Sequence, residues 1–214
     1  MSVQDVDEEL LDTVCSRLRE HLGSAEADQA EAFARQYYRW VSPEDIAERS
    51  ELDVYGAALA HFDLARRRTP GTTKVRIYNP RFEVHGWSCP HTAVEIVTDD
   101  MPFLIDSVGM ELNRRGFGVH LIIHPVMRVR RDAGGRLLEV LPHGTGGDDA
   151  VAESVIHAEV ARQTDEVELR NLEQHVQRVI GEVRAAVSDW PEMRARALDV
   201  VAELGESPPP LDPE

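Results

Sequence analysis

The eighteen residues from His91 to Val108, His-Thr-Ala-Val-Glu-Ile-Val-Thr-Asp-Asp-Met-Pro-Phe-Leu-Ile-Asp-Ser-Val, leave the backbone little choice. Thr92, Val94 and Ile96 alternate with Ala93, Glu95 and Val97, a period of two that predicts a strand buried on one face and partly on the other. Two aspartates and a proline end that pattern at once. Met101, Leu104, Ile105, Val108 and Leu112 then recur along one helical stripe, which should stop at Gly116 or Gly118, just after Arg114 and Arg115. A strand tied to a helix by so short a turn is the start of a layered unit of sheet and helices.

The rest of the chain supplies the other layers. Val6, Leu10, Leu11, Val14, Leu18 and Leu22 predict an amphipathic helix that Gly23 would end with a left-handed cap. Ala30, Phe33, Ala34, Tyr37 and Val41 mark a second, Ser42-Pro43-Glu44-Asp45 restarts the chain as a cap followed by a first-turn proline, and Leu52 to Arg68 reads as a further helix with three arginines at its negative end. Thr69-Pro70-Gly71-Thr72 breaks this pattern. Lys74 to Tyr78 is expected as a short strand, 79–90 as a loop holding Trp87, and Val119 to Arg130 as one long strand whose Pro125 implies an edge or a bulge. Asp132-Ala133-Gly134-Gly135 turns it into a hairpin with Arg136 to Leu141. Ser154 to Arg162 alternates again. Thr164 or Asp165 can cap a strongly periodic helix through Leu169, Leu172, Val176, Val179, Ile180, Val183 and Val187, and a separate last helix is expected from Pro191 to Leu204 before a stiff Pro-rich tail. The element order predicts an α+β sandwich with helices on one sheet face; the place of Lys74 to Tyr78 and the strand order stay open.

Composition excludes several function classes. No run approaches the ~20 apolar residues of a membrane span, and the acidic N-terminus is unlike a signal peptide, so the cytoplasm is expected. The net charge of -16 sits in residues 1–70 and 144–214, with the middle nearly neutral, a balance that repels phosphate backbones and anionic lipid; neither nucleic acid nor membrane is an expected partner. Cys15 and Cys89 read as free thiols.

Few residues suggest chemistry. Asp99, Asp100, Asp106 and Ser107 crowd a helix start, and two readings compete: Asp99 or Asp100 caps the helix, or the turn's N–H groups hold an amino acid's carboxylate while an aspartate meets its ammonium. His120 and His124 share a strand face, but four strand residues span roughly 13 Å, too far for one ion. Cys89-Pro90-His91 shows no third partner for a nucleophile. Gly144-Thr145-Gly146-Gly147-Asp148 lacks the spacing and the setting of a phosphate loop, no dinucleotide fingerprint is present, and Lys74 is a single lysine. No catalytic, cofactor-binding or metal-ligating residues are therefore expected.

Tyr37-Tyr38, Ser42-Pro43-Glu44-Asp45, Gly86-Trp87, the run Thr-Asp-Asp-Met-Pro-Phe-Leu-Ile-Asp-Ser from Thr98, His124-Pro125-Val126 and Val187-Ser188-Asp189-Trp190 together resemble the N-terminal ACT-type domain of the large-subunit bacterial NAD-specific glutamate dehydrogenases, over approximately residues 30–190. The resemblance implies a ferredoxin-like ACT sandwich with insertions: a helical segment over 1–68, the ACT-like domain over 69–190, and a C-terminal helix and linker over 191–214. It implies a regulatory or oligomerisation module whose catalytic domains lie elsewhere in a longer, homo-oligomeric polypeptide that uses NAD to deaminate glutamate to 2-oxoglutarate. It also points to Asp99, Asp100, Met101, Pro102, Phe103 and Asp106 as the place for an amino-acid effector. The usual ACT turn has Gly after Pro, and Phe103 in its stead favours packing or an interface. A stand-alone amino-acid sensor is the alternative, and a self-contained hydrolase or transferase using Asp99, Asp100 and His91 a third.

Overall fold

The computed structural model describes residues 8–47, 49–145, 147 and 149–206; Val6, Gly146, Asp148 and the Pro-rich tail from Ser207 lie outside the described residues. The chain opens with four helices, α1 (Glu8–His21), α2 (Ser24–Tyr37), α3 (Pro43–Ala47) and α4 (Glu51–Ala65). Then follow β1 (Lys74–Tyr78), α5 (Phe82–His85), β2 (Thr92–Asp99), α6 (Leu104–Arg114), β3 (Val119–Ile123), β4 (Val126–Arg131), β5 (Leu137–Val140), β6 (Val151–Val160) and α7 (Glu166–Glu206). The strands form one antiparallel sheet in the order β1-β2-β6-β4-β5, with β3 also paired to β6. The fold is an α+β sandwich, and β1 joins its sheet at the β2 edge.

Helices cover both faces of the sheet, not one as the element order suggests. The even-numbered positions of the central strands, Val94, Ile96, Ile156, Ala158 and Val160, pack under α6 and α7 through Leu104, Val108, Leu112, Leu172, Val176 and Ile180. Val97, Val155, Met127 and Val129 face the other way, into a core with α1, α2 and α4 that contains Leu18, Phe33, Tyr37 and Phe62. Successive strand residues point to opposite faces, and β2 and β6 are buried on both for nearly their whole length, although one of those faces carries Glu95, Glu153, His157 and Glu159.

Several boundaries differ from expectation for local reasons. Gly23 has φ -65 and is the N-cap of α2, not a left-handed stop. The helix before the sheet ends at Ala65, and the ε-ammonium of Lys74 donates to the Leu64 carbonyl in its last turn and to the Arg67 carbonyl just past it, 2.8 and 3.0 Å away. Residues 79–90 contain the short α5. The single long strand is two, β3 and β4, split at His124-Pro125. From Leu121 onward both keep one register along β6, Ile123 opposite His157 and Val126 opposite Ser154, and the Pro125 carbonyl still accepts from Val155 N–H at 3.1 Å. What proline lacks is the N–H that would return the bond to the Val155 carbonyl, so the ladder lapses there and resumes. Finally, α7 does not stop before Pro191 but runs through it as one helix to Glu206. Its start is as expected: Asp165 Oδ1 accepts the Val167 N–H at 2.7 Å.

Candidate functional site

The turn between β2 and α6 is built from its carboxylates inward. Asp99 ends β2 and caps no helix. Its oxygens accept from Arg68 Nη2 at 2.9 Å, from Gly71 N–H at 3.0 and 3.2 Å, and from Arg184 Nη2 on α7 at 3.1 Å. Burial would raise its pKa, but the bonds from Arg68 and Gly71 and the charges of Arg68 and Arg184 outweigh that and hold the carboxyl below its ordinary range. Asp100 accepts from Ser154 Oγ at 2.7 Å, and His124 Nε2 lies 3.1 Å from the same oxygen. That His-Ser-Asp order puts the hydroxyl between base and acid, and Ser154 is fully buried, so the trio holds the turn and is no hydrolytic triad. The capping expectation for Asp99 and Asp100 therefore fails: Phe103 is the N-cap of α6, with no side-chain cap bond.

Met101 packs against the core under α6, while Pro102 and Asp106 are exposed. Phe103 is 70% exposed and stands at φ 66, the one non-glycine described with a positive φ. An L-residue there sacrifices about 1 to 2 kcal/mol of backbone energy. With Pro102, Ala186, Val187 and Trp190 it lines an almost wholly apolar cleft of about 430 Å³, and a shallower one lies between Ser107 and Val183 on its other side. Trp190, 62% exposed, is held beside the turn because α7 continues past the sheet. The sequence places Val187 on the apolar stripe of a helix and marks Trp190 only through the resemblance, because nothing local says which distant helix face meets the turn.

The second polar concentration was missed. Glu153, His157 and Glu159 occupy alternate positions of β6, and with Glu95 of β2 they form a buried polar stripe on the face that meets α4. Each carboxylate has an arginine. Arg68 and Arg131 both donate to Glu153, Arg76 donates to Glu95, and Arg49 takes both oxygens of Glu159 at 2.5 and 2.7 Å. Arg68, expected at a helix end, is instead drawn inside. Its N–H donates to the Gly135 carbonyl at 2.8 Å, and a Cβ on Gly135, at φ 77, would lie 2.7 Å from the Arg68 carbonyl oxygen. The signal in hindsight is Glu-x-x-x-His-x-Glu at strand spacing inside an apolar strand.

Two groups of three side chains bring metal-type donors together among the described residues: His61, Glu95 and His157, and Cys89, His91 and Glu159. The second supplies the third partner that the sequence did not show for Cys89 and His91. As a nucleophile Cys89 remains poor, its thiol pushed up to about 11 mainly by burial. The two histidines expected as a strand pair separate, His120 stacking on His91 with ring centroids 4.1 Å apart and His124 turning to Ser154. His91 precedes β2 and Asp99 ends it, so about 26 Å of strand separates them and the Asp99-Asp100-His91 catalytic reading is overturned. Cys15 and Cys89 are both free and buried. No described helix is long and apolar enough to cross a membrane.

Residues 33–176 match the family described as glutamate dehydrogenase, ACT1 domain. The NAD-specific glutamate dehydrogenase of Pseudomonas aeruginosa is 41% identical over 190 residues, covering 89% of this chain and 12% of the relative. That of Halomonas elongata is 41% identical over 207 residues, 96% of this chain and 13% of the relative, and that of Mycobacterium tuberculosis 26% over 145 residues. The chain thus spans roughly an eighth of the length of the two relatives it matches best among these. A family match over two thirds of the chain, on a sandwich of the expected class and with the Asp-Asp-Met-Pro-Phe-Leu turn at its centre, leads to one conclusion: the chain belongs to the ACT1 domain family of glutamate dehydrogenases.

Proposed function

We propose that this chain is a non-catalytic docking and regulatory module of an NAD-dependent glutamate dehydrogenase, and that Phe103 and Trp190 seat another part of the same long polypeptide. The full enzyme on this reading deaminates L-glutamate to 2-oxoglutarate with NAD bound by domains outside this chain, and assembles as a homo-oligomer in the cytoplasm. The observation that carries the reading is Phe103, an exposed aromatic kept in a backbone conformation that glycine would adopt without strain. An exposed ring at that position has a use only if something covers it. The far part of α7 extends the same argument, since Trp190, Met193, Val201 and Leu204 are all at least half exposed and fall on one helical stripe. A net charge of -16 disfavours a second copy of this chain as the cover.

The test is the long enzyme carrying Phe103→Asp or Trp190→Ala. Loss of the native oligomer or of activity, with the purified 214-residue chain still folded, supports docking; an enzyme indistinguishable from wild type in both properties refutes it. A second reading, an amino-acid effector at the same turn, is favoured by the α6 N-terminus having no side-chain cap, which leaves its first N–H groups to another acceptor. Thermal scans of the chain against amino acids test it. Saturating ligand at 100 times its Kd adds about 2.7 kcal/mol, and the absence of a shift with any of them excludes that reading.

A further inference from the structure

We propose that Cys89, His91 and Glu159 bind one divalent transition-metal ion of borderline softness, zinc in the first instance, at the floor of a solvent-open pocket between α3, α4 and the β2 entry. This site lies at the opposite end of β2 from the Asp99–Phe103 turn and does not depend on the docking reading.

Geometry is the first argument. His91 Nδ1 lies 3.3 Å from Glu159 Oε2 and 3.9 Å from Cys89 Sγ, and all three donor atoms fall within 4.8 Å of one another. Tetrahedral zinc with ordinary bond lengths sets an N and an O ligand about 3.3 Å apart and an N and an S ligand about 3.5 Å apart. The carboxylate already has the required separation from the ring nitrogen, and the thiol lies a few tenths of an ångström beyond its own. The three residues line a pocket of about 440 Å³ with Glu44, Asp45, Arg49, Asp53 and Ser88, and the partly exposed His91 opens it to solvent, which leaves the fourth coordination position to water.

The surroundings are those of a supported ligand set. Arg49 and His157 keep the Glu159 carboxylate oriented and ionised, while Oε2 retains a lone pair on the His91 side. Asp53 Oδ1 accepts the Ser88 N–H at 2.8 Å and fixes the start of the Ser88–His91 segment; the Arg162 guanidinium, donating to the Cys89 carbonyl at 2.8 Å, fixes its middle. Glu44, Asp45 and Asp53 at the mouth offset the positive charge of Arg49 and Arg162. On binding, the thiol gives up its proton to solvent and the imidazole carries its own on Nε2, so the ion meets one thiolate, one carboxylate and one neutral ring. The His61, Glu95, His157 group is not equivalent. All three are sealed from solvent, His61 spends one nitrogen on the Ile96 carbonyl and the other on the Tyr37 hydroxyl, and Arg76 holds Glu95.

The test is titration of the metal-free 214-residue chain with Co²⁺, followed by competition with Zn²⁺. One equivalent of cobalt should produce a thiolate charge-transfer band and the intense visible bands of tetrahedral coordination, both removed by zinc. Cys89→Ser should abolish the charge-transfer band, and His91→Gln should weaken binding about tenfold or more while keeping it; Cys15→Ser should change neither. Urea midpoints check that each variant is folded. No stoichiometric band, a band that survives Cys89→Ser, or affinity untouched by His91→Gln overturns the site.

Discussion

Arg49 grips both carboxylate oxygens of Glu159, at 2.5 and 2.7 Å, across 110 residues of chain. The pair ties the segment between α3 and α4 to the far end of β6, and the Glu159 carboxylate is wholly buried. Removing one partner of such a pair leaves a charge with too few donors. Arg49→Ala should therefore destabilise the chain by about 3 to 5 kcal/mol, and Arg49→Met with Glu159→Leu should recover much of that. Urea unfolding measures both, and a loss under 1 kcal/mol in the single variant would show that His91 and His157 suffice.

Gly56 and Gly109 should respond oppositely to the same change. A Cβ on Gly56 of α4 would lie 2.3 Å from Trp87 Cβ and 2.8 Å from Trp87 Cγ, and Trp87 is fully buried with no room to retreat. Gly56→Ala should cost about 1 to 3 kcal/mol. Gly109 in α6 has nothing within 4 Å of its added methyl, so Gly109→Ala should gain about 0.5 to 1 kcal/mol from the helix backbone alone. Thermal melts of the two variants decide it.

Acid should weaken the fold in two stages. Burial, aided by neighbouring His157, holds His61 well below the ordinary histidine range. Its folded value lies under its unfolded one, so the unfolded chain takes up the extra proton and stability falls as pH drops below about 6.5. Glu159 and Asp99 act later. Burial would raise both, yet hydrogen bonds from His157 and Arg49, and from Arg68 and Gly71, depress them, so their contribution is complete above about pH 4 and lost below it. His61→Gln, able to donate to Ile96 and accept from Tyr37, should shrink the first stage and leave the second. A urea midpoint constant from pH 7 to 5 in the unaltered chain would contradict a neutral His61.

Phe103→Gly separates stability from function. Relief of the left-handed strain should stabilise the isolated chain by about 1 kcal/mol, since a ring this exposed forfeits little packing. The same substitution in the long enzyme should weaken its assembly. Denaturation of the chain and sizing of the enzyme would show the opposite signs, and a destabilised isolated chain would mean that the ring packs within the module after all.

What could be read from the residues was whatever one segment decides for itself. The β2 alternation, the Asp132–Gly135 hairpin turn and the Asp165 cap of α7 all follow from neighbours a few places apart. The second helical layer was hidden because Glu95, Glu153, His157 and Glu159 look like a solvent face until Arg76, Arg68, Arg131 and Arg49 are brought to them from far along the chain. Pro125 and Pro191 were misjudged in opposite directions: the strand expected to run through Pro125 is split there although its register resumes, and the helix expected to begin anew at Pro191 runs through it. The cleft beside Phe103 needs α7 laid across α6, which no local spacing encodes.

That same helix gives the module mechanical reach. At about 1.5 Å per residue the stretch of α7 beyond Ile180, its last fully buried anchor, is about 39 Å long, so a tilt of about 5° at the anchor displaces the far end by about 3 Å. Trp190 sits about 15 Å along this overhang. On the docking proposal, a body seated against Trp190 would bear on the overhang at that distance from its anchor and so set the direction of its far end.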